Sequence, residues 1–228
     1  MRRFFIAIFL FLCLYPVWNI GKTVAQPSSY AGAMRWYEIE ALKGSASAQY
    51  LLGMLYAEGG GSRKKDPSAA LGWFAKAARQ GHAAAQFRVG VAYQFGRTVI
   101  PDIAQAFIWY QRAARQGIVE AQHNLAHMLE NGPVTDQNVG KAVRWYAKAA
   151  GRGFGPSQLA LGNLYLRGNG LKKDFVEAWA WFRAAEFRGI NGASEAMEFT
   201  AKNMKPDQLR RAKTLSLPRI QNMSSPAR

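Results

Sequence analysis

The sequence predicts an all-α fold: a solenoid of helix-turn-helix repeats, about four of them full, with capping helices at the ends. Three observations carry this. Five aromatic pairs recur, Trp36-Tyr37, Trp73-Phe74, Trp109-Tyr110, Trp145-Tyr146 and Trp181-Phe182, with steps of 37, 36, 36 and 36 residues between tryptophans. A period in that range marks a helical repeat array. Glycines keep the same interval, with Gly44, Gly81, Gly117, Gly153 and Gly189 following their pairs by seven or eight residues. Apolar residues fall at helical spacing: Ala48, Leu51, Leu52, Leu55 and Tyr56 lie at i, i+3, i+4, i+7 and i+8, and so do Ala70, Trp73, Phe74, Ala77 and Ala78.

Each repeat is therefore two amphipathic helices. The first carries Ala48-Gln49, Ala85-Gln86, Ala121-Gln122 or Ser157-Gln158, then Leu52-Gly53, Val89-Gly90, Leu125-Ala126 or Leu161-Gly162, and closes on Tyr56, Tyr93, Leu129 or Tyr165. The small residue of the middle set lets the two helices of a repeat approach closely, at some cost in helix propensity. The second helix carries the aromatic pair. Asp66, Asp102, Asn138 and Asp174 stand seven residues before a tryptophan, where an N-cap side chain satisfies free N–H groups, and Pro67 suits the first helical position. The repeat-ending glycines suit helix C-caps. At the front, Met34 to Lys43 supplies only a second helix. At the back, Ala193 to Lys202 starts a first helix, but charged Glu198 replaces the small residue and argues against a further repeat. Asp207 to Leu215 reads as a closing helix after Pro206, and the chain from Pro218 as a frayed tail. The expected organisation is a leader at 1–25, a repeat domain at 26–204, a capping helix at 205–217 and a flexible tail at 218–228.

The string Ala-Gln-x-x-Leu-Gly-x-x-Tyr, then Asp, then Ala-x-x-Trp-Tyr-x-x-Ala-Ala-x-x-Gly resembles the Sel-one-like repeat (SLR) family, a branch of the tetratricopeptide-type solenoids. The resemblance runs from Ala33 to about Ala201. Departures are local: an extra residue in Gly59-Gly60-Gly61, and Ala126 and Leu129 in place of glycine and tyrosine in the third repeat. The resemblance implies a right-handed α/α superhelix whose first helices line a concave face. It also implies a role as an adaptor or regulator in envelope processes, including exopolysaccharide control and host interaction.

The first residues read as a targeting segment. Arg2 and Arg3 precede an apolar stretch from Phe4 to Tyr15, and Thr23-Val24-Ala25 offers small residues for cleavage before Gln26. Export to the periplasm or beyond is expected, with an uncleaved N-terminal anchor as the alternative. Cleavage removes Cys13, the sole cysteine, so the mature chain has no disulfide or thiol chemistry. It also removes Arg2, Arg3 and Lys22, leaving 27 basic residues against 14 acidic ones, a net +13. That surplus suits a polyanion such as an acidic glycan or a lipid surface, or else simply solvates the helices. Export argues against nucleic acid.

Chemistry is sparse. His123 and His127 lie four apart on one helix, but Asn124 stands where a zinc peptidase needs glutamate. Two ligands alone make a weak site, so no metal is expected. No phosphate loop, nucleophile elbow or Cys/His set appears, and neither an enzyme nor a cofactor is expected. On the implied concave face, the positions next to the packing residues read Ser47, Tyr50, Met54 and Ala57, then Ala84, Phe87, Val91 and Gln94. The series continues with Glu120, His123, His127 and Glu130, then Pro156, Leu159, Asn163 and Leu166. Tyr50, Met54, Phe87, Val91, His123, His127, Leu159 and Asn163 are the candidate partner-binding residues for an extended peptide or a partner helix. A second reading has Tyr50, Phe87 and Leu159 completing the packing between repeats. The expectation is a monomeric, exported, non-catalytic scaffold for a protein partner, with a binder of anionic polysaccharide or membrane surface as the alternative.

Overall fold

The computed structural model describes residues 30–59, 64–132 and 138–221, with side chains from 35 to 220. The expected leader and cleavage site, and the tail beyond 221, lie outside the described residues. Eleven helices follow one another with no strand among these residues: α1 (Tyr30–Leu42), α2 (Ala46–Glu58), α3 (Pro67–Arg79), α4 (Ala83–Phe95), α5 (Ile103–Arg115), α6 (Val119–Asn131), α7 (Val139–Gly151), α8 (Gly155–Arg167), α9 (Phe175–Phe187), α10 (Ala193–Lys202) and α11 (Pro206–Gln221). Residues from Tyr37 onward form one compact unit; of the unit before it, only the start of α1 is described. Within the larger unit the pairs α2/α3, α4/α5, α6/α7 and α8/α9 are the four full repeats. None of the helices is long and apolar enough to cross a membrane.

The caps follow from the sequence. Asp66, Asp102, Asn138 and Asp174 each accept from the backbone N–H three residues on, at 2.8 to 3.1 Å. Gly117 ends α5 at φ 92°. Its N–H reaches Ala114 O, and the next N–H, of Ile118, reaches Ala113 O, both at 3.1 Å. This is a Schellman closure, which needs the left-handed residue that glycine supplies without strain. The first helices are capped differently. Ser45 and His82 accept from the N–H of Ala48 and Ala85, whereas Ile118 and Phe154 offer no side-chain cap.

The aromatic pairs divide their labour. Phe74, Tyr110, Tyr146 and Phe182 are buried, at 6, 0, 1 and 0% exposure, and each lies between the two helices of its repeat. A Cβ added at Gly53, Gly90 or Gly162 would come within 2.6, 2.8 or 2.5 Å of the Phe74, Tyr110 or Phe182 ring, so the close approach expected from the small residues is made against this ring. Where the ring is tyrosine, its hydroxyl donates to the end of the preceding helix: Tyr110 to Gln94 Oε1 at 2.5 Å, Tyr146 to Glu130 Oε2 at 2.9 Å. Burial pushes the Tyr110 hydroxyl up to about 12, with Asn124 acting against it. Repeats with phenylalanine carry Ala57 or Leu166 at the same place.

In the pairs of the four full repeats the tryptophans are only half-buried, and each has a cation on its face. Lys76 lies 3.9 Å from Trp73, Arg112 4.7 Å from Trp109, and Lys148 4.4 Å from Trp145. The spacing of three residues brings each pair together on one helix face. In the fourth repeat Ala184 occupies the cation's position, and Arg219 of α11 covers Trp181 instead, at 4.0 Å.

Successive repeats are tied by buried glutamines. Gln49, Gln86, Gln122 and Gln158 donate to the carbonyls of Ala41, Ala78, Ala114 and Ala150 in the preceding second helix, at 3.1 to 3.2 Å. The first two accept in turn from Gln80 and Gln116 at 2.8 and 2.7 Å. A buried amide satisfied on both sides fixes register as well as contributing stability.

At the C-terminal end the structure moves the expected boundaries. The closing helix begins at Pro206 and continues through Pro218 to Gln221, past the boundary placed at 217. It lies along α9, where Ala212, Leu209 and Leu215 cluster with Val176 and Trp179. Arg219 donates to Glu177 Oε2 at 2.7 Å.

Candidate functional site

The candidate residues sit on α2, α4, α6 and α8 in two rows, one helical turn apart. The row of Tyr50, Phe87, His123 and Leu159 is half-buried, and much of it meets the next repeat. Tyr50 stacks on His82, the residue opening α4, with ring centroids 4.6 Å apart and planes at 22°. His123 lies between Tyr146 at 5.4 Å and Phe154 at 5.3 Å, Phe154 being the residue that opens α8. Phe87 lies 5.8 Å from Tyr110. Tyr50, which the packing reading named, and His123, which it did not, both help join repeats.

The second row is Met54, Val91, His127 and Asn163. Met54 and Val91 are half-buried at the edge of the core, Asn163 is half-buried and His127 is exposed. The same register continues thirty-six residues past Asn163 to Phe199 on α10, which is 59% exposed. Leu159 likewise projects onto Glu195. Both lie beyond the fourth repeat, where the sequence-predicted rows end, although the period alone points to them. An open depression at the α9–α10 turn, lined by Glu186, Ile190, Asn191, Ser194 and Glu195, lies at this end. In it Glu186 accepts from Ser194 Oγ at 3.0 Å and from Arg183.

The histidines do not act together. His123 Nδ1 contacts Ser157 Oγ at 3.0 Å, while His127 faces solvent. Ser157 is fully buried, so this contact presents no nucleophile to a substrate. Among the described residues no three His, Cys, Asp or Glu side chains converge as metal ligands. Burial, aided by the nearby His127, lowers His123 to about 4 from 6.5. The folded state therefore favours the neutral ring, and between those values the unfolded chain binds more protons. His123 contributes stability that is complete above pH 6.5 and lost as pH falls toward 4. Urea denaturation of wild type and His123→Phe across this window is expected to show a stability gap that changes with pH. An unchanged gap would remove His123 as the cause.

These features define the class: an α-solenoid whose register residues are absorbed by packing and whose repeats differ along one helix face. The chain belongs to the Sel1 repeat family, whose repeat matches residues 46–82, 83–118, 119–154 and 155–186. Sel1 repeats generally mediate protein–protein interaction and typically lack catalysis. Among solved structures the chain is similar to a protective antigen of uropathogenic Escherichia coli strains that displays an SLR fold. The two share 31% identity and a TM-score of 0.75, over 90% of this chain and 46% of the antigen. The chain thus spans less than half that antigen's length. It is also similar to a Sel1 repeat protein from Oxalobacter formigenes, with 27% identity and a TM-score of 0.67 over 81% of this chain and 75% of that one. No curated protein matches the chain significantly.

Proposed function

We propose that the chain is an exported, non-catalytic scaffold that binds a protein or peptide partner along the face of its first helices. One observation carries this. The row Met54, Val91, His127, Asn163 and Phe199 changes from apolar to polar and back to aromatic while the frame beneath it repeats, and Phe199 stands 59% exposed. A row of unlike groups on a rigid periodic frame suits an extended segment read one position per repeat. Export is supported by the basic and apolar leader with small residues before Gln26.

Tyr50 and Phe87 are poor test positions, because they pack against core rings. The test replaces Val91 with serine and Phe199 with alanine in the mature chain. It reads binding to partners captured from the envelope of the source cell and identified by mass. Affinity is expected to fall about tenfold with little change in melting temperature, and binding is expected to persist at about 0.5 M salt. Binding that collapses with salt and ignores both substitutions would instead assign the function to the basic surplus and an anionic glycan or membrane surface.

A further inference from the structure

The outer faces of α3, α5 and α7 carry a stripe of equivalent positions: Gly72, Lys76 and Arg79, then Ile108, Arg112 and Arg115, then Arg144, Lys148 and Gly151. These three helices contain no aspartate or glutamate. The six cations are exposed, and none is in an ion pair with a carboxylate of the described residues. Six unneutralised cations therefore line this one face.

The glycines of this stripe are not explained by packing within the chain. A Cβ at Gly72 or Gly151 would meet nothing within 4 Å, in contrast to Gly53, Gly90 and Gly162 under their aromatic rings. A glycine inside a helix costs stability relative to alanine, and here no neighbour requires it. Small residues on an exposed helix face let another backbone come close.

The fourth repeat shows what lies on such a face. The equivalent positions there are Ala180, Ala184 and Phe187; both alanines are fully buried, and α11 lies along α9. Where this chain's own helix covers the face, the cations are gone. Glu177 stands where α7 has Lys141 and pairs with Arg219 of α11. The closing helix is basic, with Arg210, Arg211, Lys213 and Arg219 against Asp207; it rests on apolar Val176 and Trp179 and meets one carboxylate, Glu177. Over α3, α5 and α7 the sign is reversed.

We infer that the outer face of α3, α5 and α7 docks an acidic α-helical segment of a partner protein, much as α11 lies on α9. A second copy of this chain fits poorly, because its net charge is +16 and its own surface helix is basic. This face is separate from that of the first helices.

The probe is a synthetic peptide of residues 206–221 carrying Arg210→Glu, Arg211→Glu, Lys213→Glu and Arg219→Glu, with a scrambled peptide of the same composition. Binding to the mature chain is read by fluorescence anisotropy. Polygalacturonate and phosphatidylglycerol-containing vesicles are tested beside them. The ordered peptide is expected to bind and the scrambled one to bind much more weakly. Arg144→Glu with Lys148→Glu is expected to weaken binding about tenfold or more, and Gly72→Leu with Gly151→Leu to weaken it similarly. Gly72→Ala is expected to raise the melting temperature. A Gly72→Ala variant that melts lower would make the glycine structural and overturn the inference. So would absence of peptide binding, equal binding of the scrambled peptide, or polygalacturonate or vesicles binding as tightly and ignoring Gly72→Leu.

Discussion

Phe182→Ala is expected to lower unfolding free energy by about 4 kcal/mol in urea denaturation, the usual cost of emptying a fully buried aromatic site. The ring has 0% exposure and stands against Gly162, where an added Cβ would come within 2.5 Å of it. Gly162→Leu attacks the same contact from the other side. The buried ring has little room to retreat, so overpacking is expected to cost about 3 kcal/mol. Combining the two is the sharper measurement, because the leucine can grow into the space the phenyl leaves. The double variant is expected to be no less stable than the worse single one, a coupling of about 3 kcal/mol. Additive losses would mean that Phe182 and Gly162 do not share one site. Gly162→Ala brings only its Cβ against the ring and is expected to cost less than Gly162→Leu, but the ring still has to shift.

That contact shows what a sequence can and cannot disclose. The spacing put Gly53, Gly90, Ala126 and Gly162 between helices, and the caps at Asp66, Asp102, Asn138 and Asp174 were legible because capping is local. The aromatic pairs looked like single units. Period alone does not separate Phe182, pointing into its repeat, from Trp181, lying under a cation at the surface. A finer signal was available: tyrosine in the pair accompanies Gln94 or Glu130 sixteen residues earlier, and phenylalanine accompanies Leu166 at that spacing or, across the extra residue of the first repeat, Ala57 seventeen residues earlier. The candidate site was less legible for a related reason. Tyr50 and His123 stand at positions that vary from repeat to repeat, which reads as recognition, yet their rings meet His82 and Phe154, which vary as well. Contacts between two varying positions in neighbouring repeats leave no periodic trace.

The same limit hid the end of the molecule, where truncation has the second large expected effect. A proline inside a helix removes one hydrogen bond and crowds the preceding turn, so Pro218 reads locally as a stop. Tertiary contact holds the next turn in place: Leu215 packs with Val176 and Trp179, and Arg219 lies 4.0 Å over Trp181 while bonded to Glu177. Ending the chain after Lys205 uncovers Trp179, now 6% exposed. Burying a tryptophan contributes about 4–6 kcal/mol by area, and ordering the helix offsets much of it, so a net loss of about 3 kcal/mol is expected. Tryptophan emission should shift to the red as Trp179 meets water. Ending the chain after Leu217 separates the two views of its last residues. A frayed tail would leave the urea midpoint unchanged. Loss of Arg219 instead strips the cation from Trp181 and leaves the half-buried Glu177 carboxylate unpaired, at an expected cost of about 1–2 kcal/mol. Arg219→Ala in the full chain should reproduce that cost. If it does not, the contact contributes nothing, and Pro218 marks the end of the stabilising structure after all.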